Sequence, residues 1–186
     1  MSRLQTAFDA IDKANAQDPH LTDGQPAELL YGQRMTAEQE LLYPDADAPL
    51  RIACRGQHIE RWTLPRADFP MDRAGYLAWR TEQGRRHAAR VAGIMRDAGY
   101  DDGAVHHAEK MLMKQGIKRD PDVQALEDVA CFTFIRWYMG PFAGTREPDE
   151  MVRIVDKTAR KMSAMARARA LQEFDIPEPF ATSFRD

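Results

Sequence analysis

The sequence lacks the features that would direct it into or across a membrane. None of its apolar runs approaches the roughly 18 residues of a transmembrane helix, and no basic segment followed by an apolar one opens the chain. Cysteine is nearly absent. Cys54 and Cys131 both lie in apolar helical stretches, where buried free thiols are expected and not a disulfide. The sequence therefore predicts a cytoplasmic protein with no membrane partner.

The common nucleotide-binding and nucleophile motifs are also missing. The sequence contains no G-x-G-x-x-G, no Walker loop, no C-x-x-C and no G-x-S-x-G. His58-Ile59 and Lys161-Met162-Ser163 faintly echo the HIGH and KMSKS signatures of class I aminoacyl-tRNA synthetases. Those signatures require a parallel nucleotide-binding sheet, and no stretch of this sequence alternates as a strand. We therefore exclude a synthetase.

Helical spacing of apolar residues dominates what is present. No Gly/Ser-rich break divides the chain, so the sequence predicts a single all-α domain over 1–186. The periodicity and the caps indicate about seven helices. Their expected bounds are 1–15, 26–42, 47–62, 72–98, 103–115, 122–139 and 148–173, followed by a Pro-containing tail over 174–186 that includes Pro177 and Pro179.

The charges are unevenly distributed. The net charge of −3 gives no general attraction to nucleic acid, which is not expected as a partner. The segment 51–90 nevertheless holds nine arginines and four acidic residues, and 20 of the 26 basic residues are arginine. Arginine grips phosphate and carboxylate groups with a rigid two-pronged donor. GC-rich coding would explain the excess of arginine but not its clustering, which favours an anion-binding concavity.

Several polar residues on predicted helices could line such a concavity. Arg55, His58 and Arg61 are expected on one helix face with Trp62 beside it. In the next long helix, a stripe runs from polar to apolar residues and contains Gly84, where either a neighbouring helix or a ligand could approach closely. This stripe is Tyr76, Arg80, Gly84, His87, Val91 and Met95.

One carboxylate lies in a helix that is apolar on nearly all sides. Asp128 would need a cation, hydrogen-bond donors or a metal there, because an unpaired buried carboxylate is too costly. His58, His87 and Asp128 come from three helices and could converge as ligands of zinc, manganese or iron. The alternative for each residue is a structural role.

Five segments resemble a family catalogued as domain of unknown function 4202. They are Glu28 to Met35, Gln57 to Trp62, Pro65-Arg66, Asp72 to Arg80 and Leu126 to Cys131. The resemblance covers nearly the whole chain, and it implies no established activity.

The sequence is also similar, more distantly, to the HD superfamily of metal-dependent phosphohydrolases. His58 resembles the His of the family's His-Asp pair, His87 a later His, and Asp128 the closing Asp. The resemblance implies an HD-like core over about 26–140, and one divalent ion (manganese, iron or zinc) held by these three residues. Ile59 replaces the pair's Asp, and Arg34 and Lys114 stand near two other His positions. A site in which the fixed charges of Arg34 and Lys114 replace the metal is therefore an alternative to the metal site.

The leading hypothesis is an HD-like enzyme that binds a small anionic ligand, phosphorylated or of nucleotide type, and hydrolyses or transfers its anionic group. The alternatives are a non-catalytic binding or accessory protein and an internal salt-bridged network. A homo-oligomer is left open. The predicted catalytic residues are His58, His87, Lys114, Glu127 and Asp128. The predicted ligand-binding residues are Arg34, Arg55, Gln57, Arg61, Trp62, Arg66, Tyr76 and Arg80.

Overall fold

The fold is all-α, as the helical periodicity predicts. The computed structural model describes residues 2–178 and 180–185, and within them ten α-helices and one short hairpin account for the regular structure, apart from two 3₁₀ turns and one π-helix. The helices are α1 Arg3–Asn15, α2 Ala27–Leu42, α3 Ala48–Gly56, α4 Arg73–Asp97, α5 Asp102–Leu112, α6 Pro121–Thr133, α7 Met139–Ala143, α8 Pro148–Lys161, α9 Ala164–Glu173 and α10 Thr182–Arg185.

Six helices begin at a side chain that caps the free amides of their first turn. In each case an Asp or Ser oxygen accepts a hydrogen bond from a backbone N–H two or three residues later. Asp72, the cap predicted for the long helix, is confirmed in this role. The others are Ser2, Asp47, Asp101, Asp120 and Ser163.

One continuous cluster of buried apolar side chains runs from α1 to α10. Its centre lies where α3 and α6 pack together, and Ile52 and Phe132 are fully buried there. Cys54 and Cys131 are buried free thiols, as predicted. No helix in the described part of the chain is both long and apolar enough to span a membrane.

Three expected helices differ from those observed. The third helix ends at Gly56 and not at Trp62, because Glu60 adopts a left-handed conformation (φ 53°) and a 3₁₀ turn, Arg61–Thr63, follows. The sixth continues past Thr133 as a π-helix, Phe134–Tyr138. The last is two helices, α8 and α9, which break at Met162 and Ser163 because Met162 is extended and Ser163 caps α9.

Two segments expected to be irregular contain structure. Leu21–Thr22 pairs antiparallel with Gln25–Pro26 around Asp23 and Gly24. The expected tail carries α10, and its Phe184 is buried against the core. Pro179, one of the two prolines that define this tail, lies outside the described residues, as do positions 1 and 186.

Glycines allow α2, α3, α4 and α5 to pack closely. A Cβ at Gly84 would lie 3.4 Å from the carbonyl oxygen of Leu112, so the neighbour that approaches it is helix α5. A Cβ at Gly32, inside α2, would lie only 2.8 Å from the backbone oxygen of Arg55 in α3. The packing of α2 against α3 therefore requires glycine at position 32. This packing sets the distance between Tyr31 and the residues that follow α3.

We expect Gly32→Ala to lower the free energy of unfolding by about 1–3 kcal/mol, because the new methyl group meets backbone that cannot rotate away. Gly93 is the matched control. It also lies inside a helix, but nothing approaches its Cβ position within 4 Å, so Gly93→Ala should stabilise by up to about 1 kcal/mol. Urea unfolding of both variants measures the difference. Equal shifts of the same sign would contradict the close crossing.

Candidate functional site

His58 lies in the turn that follows α3, and the local backbone fixes this turn. Glu60 takes the left-handed conformation, and its N–H donates to the Asn15 side-chain oxygen at 2.9 Å. Gly56 packs against Val91 of α4, where a Cβ would lie 2.6 Å from a methyl carbon. These contacts hold the turn between α1 and α4 and direct His58 toward α2.

Three side chains surround the His58 imidazole. The Tyr31 ring stacks on it, with centroids 4.0 Å apart and planes within 10° of parallel. A Glu28 carboxylate oxygen lies 3.3 Å from Nδ1, and the Arg61 guanidinium Nη1 lies 2.9 Å from Nε2 and 3.2 Å from Nδ1. An arginine N–H can only donate, so it requires a ring nitrogen with a free lone pair. The arrangement therefore fits a neutral imidazole.

The electrostatics favour the same neutral form. Burial and the charges of Arg61, Lys114 and Arg80 lower the pKa of His58 well below its ordinary value. The His58 side chain still keeps 21 % of its surface exposed, so a ligand can reach the ring. His58 is thus an uncharged, accessible proton acceptor among cations.

The same environment raises the pKa of Glu28, whereas it lowers that of His58. The Glu28 side chain is 16 % exposed, and burial raises the pKa of Glu28 to about 7, although the charge of Arg61 opposes the rise. Near neutral pH this carboxyl group is therefore present in both protonation states. Glu28 can therefore gain or lose a proton near physiological pH beside an imidazole that stays neutral.

We expect Glu28→Gln to be more stable than the wild type at pH 8 but not at pH 4.5. A raised folded-state pKa favours the protonated carboxyl group, so the wild type loses stability as pH rises from the unfolded value near 4.5 through about 7. Glutamine does not ionise and avoids this loss, which we expect to be about 1–3 kcal/mol. Thermal unfolding across this range measures it. A difference independent of pH would contradict the buried carboxyl group.

A second group of charges lies beside His58. Lys114 forms an ion pair with Glu127, and Lys161 lies 3.6 Å from the other Glu127 oxygen. Burial alone would raise the pKa of Glu127, but the charges of Lys114, Lys161 and Arg80 lower it. Lys114 itself has a left-handed backbone (φ 55°), which costs a non-glycine residue about 1–2 kcal/mol. Cations thus outnumber the ionised carboxylates around His58.

His87 is close to His58 but more deeply buried. The ring centroids are 6.0 Å apart, the residue is 5 % exposed, and burial lowers the pKa of His87 to about 3. The Gln57 backbone opposes this lowering of the pKa, and Nε2 of His87 has no partner among the described residues. The Gln57 side-chain oxygen is also buried without a partner there. The structure therefore brings His58, His87 and Gln57 together.

Asp128 does not join this group. It is 0 % exposed, and its two oxygens accept four hydrogen bonds, from the Tyr43 hydroxyl at 2.7 Å, the Gln124 amide at 2.9 Å, and the Ser163 N–H and hydroxyl at 2.7 and 2.6 Å. The sequence allowed a cation, a metal or hydrogen-bond donors around Asp128, and the structure shows hydrogen-bond donors. Asp128 therefore ties α2, α6 and the start of α9 together.

The predicted metal ligands do not fit a divalent ion. In the part of the chain that the structure describes, donor atoms of His58, His87 and Asp128 do not form a group within 4.8 Å, and Arg61 covers His58. Donor atoms of His107, Asp120 and Asp122 do lie within that distance of one another. Asp120, however, is paired with Lys110 and caps α6, so it is already satisfied. We derive no step through a metal.

Of the predicted ligand-binding residues, two arginines are held by other parts of the protein. Arg55 forms a two-pronged pair with Asp12 of α1, at 2.6 and 2.7 Å. Arg66 donates to the backbone oxygens of Phe69, Pro70 and Asp72. Both stabilise the chain around the site, and neither presents a free guanidinium.

Four more of the predicted residues lie in different surroundings. Arg34 packs its guanidinium on the Trp137 ring at 4.6 Å and pairs with Asp23. Trp62 is partly buried in the 3₁₀ turn, and Arg80 lies 5.8 Å from the exposed Tyr76 ring. Only Arg61 and Arg80 of the predicted arginines act on His58 by their charge.

Sequence reasoning missed four residues of the cluster as site members. Glu28 and Tyr31 contact His58 directly, Lys161 approaches Glu127, and the Tyr138 ring lies 5.9 Å from the Tyr31 ring. Glu28 and Tyr31 stand three apart on α2 beside the predicted Arg34, which was an available signal. Tyr138 is the last residue of the π-helix. A π-helix often marks a functional site, but no sequence pattern predicts it.

Comparison with known proteins gives a single match. The model of the family described as Domain of unknown function (DUF4202) matches residues 5–182. No curated protein and no solved structure matches the chain. The likeness to the HD superfamily therefore stays a prediction.

Proposed function

The chain belongs to the DUF4202 family, and we propose that it binds a small phosphorylated or nucleotide-type anion beside His58 and hydrolyses or transfers the anionic group. One observation carries the proposal: an accessible, neutral imidazole lies among Arg61, Arg80 and Lys114, next to a carboxyl group with a pKa of about 7. We also propose that it does so in the cytoplasm.

The charge balance supports an anion as ligand. Arg61, Arg80, Lys114 and Lys161 lie around His58 and Glu127, and three of them, Lys114, Lys161 and Arg80, favour the ionised form of the Glu127 carboxylate. A positively charged group of this kind attracts phosphate and repels divalent cations. Arg61 also lies over the Trp79 ring at 5.0 Å, which limits its motion.

The geometry supports proton transfer to or from that ligand. Arg61 occupies the Nε2 lone pair of His58 in the free protein. An anion that pairs with Arg61 would draw the guanidinium away and free Nε2 to accept a proton from an attacking water or hydroxyl. Glu28, when protonated, can then supply a proton to the leaving group of the ligand, and the Nδ1–H of the imidazolium can return a proton to the Glu28 carboxylate. Arg80 and Lys114 would stabilise the charge that develops.

A second candidate is a binding or accessory protein that has the pocket but no chemistry. Ile59, which stands where an HD enzyme has a carboxylate, is 1 % exposed and belongs to the core. This alternative shares the anion-binding step and omits the proton transfer.

A panel of nucleotides, phosphomonoesters and phosphodiesters tests the proposal. We expect at least one member to raise the melting temperature by several degrees and to be turned over without added manganese. Binding without turnover would favour the binding protein. No member binding would overturn both readings and support a purely structural charge network.

A further inference from the structure

A second basic cavity lies away from His58. Its volume is about 460 Å³, and it opens where the start of α6 meets the break between α8 and α9. The turn after α5, residues 113–120, forms one wall, and Met162, Ser163 and Ala164 form the other. It is lined by residues from two separate stretches of the chain, 118–124 and 162–167, which the fold brings together.

The cations that line this cavity lack acidic partners. Lys118, Arg119 and Arg167 form no salt bridge with any residue from 2–178 or 180–185. Arg167 donates one hydrogen bond, to the Met162 carbonyl, and its Nε is buried without a partner in the same residues. Most other arginines of the structure, such as Arg55 and Arg136, are paired with carboxylates. The cavity therefore has unused positive charge.

The one acidic residue in the lining does not cancel this charge. Asp120 accepts from the Lys110 ammonium with one oxygen and from the N–H groups of Asp122 and Val123 with the other. The hydrogen bond from Lys110 and those from the α6 amides lower the pKa of Asp120 despite some desolvation. The negative charge of Asp120 is therefore balanced by Lys110 and the α6 amides. The lining keeps an excess of positive charge.

The backbone around the cavity also favours an anion. Lys118 has a left-handed backbone (φ 66°), which costs a non-glycine residue about 1–2 kcal/mol and holds this turn at the rim of the cavity. Ala164, the first residue of the ten-residue helix α9, lines the cavity, and the first amides of a helix have no intrahelical partner. The cavity thus combines hydrogen-bond donors with three cations that have no acidic partner in the described part of the chain.

We propose that this cavity is a second anion-binding site, which takes a phosphate-bearing small ligand between Lys118, Arg119 and Arg167. A phosphate group carries two negative charges near neutral pH and offers oxygens in several directions. It therefore matches three cations that line two walls of one cavity better than a single carboxylate does. The site is independent of the chemistry at His58.

Calorimetric titration with inorganic pyrophosphate tests the proposal, carried out in the Arg61→Gln background so that the His58 cluster does not contribute. In that background, the double variant Lys118→Gln/Arg119→Gln should raise the dissociation constant at least 10-fold. The matched control is Arg153→Gln/Lys157→Gln, which removes the same charge from two exposed residues of α8 that form no ion pair with described residues. It should change the constant less than 2-fold.

A second readout locates the ion. Pyrophosphate should shift the backbone amide resonances of Ala164 and Met165, and these shifts should disappear in the Lys118→Gln/Arg119→Gln variant. The proposal is overturned if pyrophosphate does not bind saturably, or if both double variants weaken it equally. Because the titration excludes Arg61, failure here leaves the proposal for His58 untouched, and the reverse also holds.

Discussion

Asp128→Ala is expected to lower the free energy of unfolding by about 4 kcal/mol, the largest stability effect of any single substitution that we predict. The substitution removes the acceptor of four hydrogen bonds at a site that is 0 % exposed. The Tyr43 hydroxyl and the Ser163 N–H are then left without this partner. Each stranded buried donor costs about 1–3 kcal/mol.

The matched control is Asp97→Ala. Asp97 is also in a helix, but it is exposed and makes no side-chain hydrogen bond to a described residue, so we expect a change below about 0.5 kcal/mol. Chemical denaturation of both variants measures the difference. If Asp128→Ala cost less than 1 kcal/mol but abolished metal content and activity, Asp128 would be a metal ligand, as the HD resemblance implies, and not a structural tie.

His58→Ala should reduce turnover of any substrate found in the panel by roughly 10²–10⁴-fold, because general acid–base catalysis contributes about that much. The variant should still fold. The substitution removes one ring that stacks on Tyr31 at 4.0 Å. Aromatic pairs of this kind contribute only about 0.5–1.5 kcal/mol to stability. Steady-state kinetics together with circular dichroism separate the two effects.

The control for this variant is His106→Ala. His106 is exposed on α5, and its nearest acidic group is 4.0 Å away, so its loss should leave turnover unchanged. The pH profile gives a further check. If protonated Glu28 supplies the proton, turnover falls as pH rises through about 7, and Glu28→Gln removes that limb. Turnover that survives in His58→Ala would exclude the imidazole from the chemistry.

The sequence predicted most of the fold because helical periodicity and caps are local signals. Helix α4 was expected over 72–98 and is observed as Arg73–Asp97, since Asp72 caps it and the helical spacing of its inward-facing residues continues from Gly75 to Met95. The break at Ser163 was missed. It depends on Asp128, 35 positions earlier, whose oxygens accept from Ser163, and no local pattern reports such a contact.

The site could be predicted only in part, for the same reason. His58 and Arg61 were placed together, correctly, although they meet across a turn and not along a helix face. Arg55 satisfies every sequence criterion for an anion ligand, yet Asp12 of α1 holds it. Whether an arginine is free depends on which acid the fold brings to it. Composition shows the cluster of charge but cannot show which of its members are paired.

Calorimetric titration of one phosphorylated ligand from the panel into wild type, Arg61→Gln and Arg153→Gln tests the central claim most directly. Arg61 contacts His58, whereas Arg153 is an exposed arginine of α8. A charge-assisted hydrogen bond contributes about 1.5–3 kcal/mol, so Arg61→Gln should weaken binding roughly 10- to 150-fold, and Arg153→Gln less than 2-fold. Equal affinity in all three proteins would contradict an anion site beside His58.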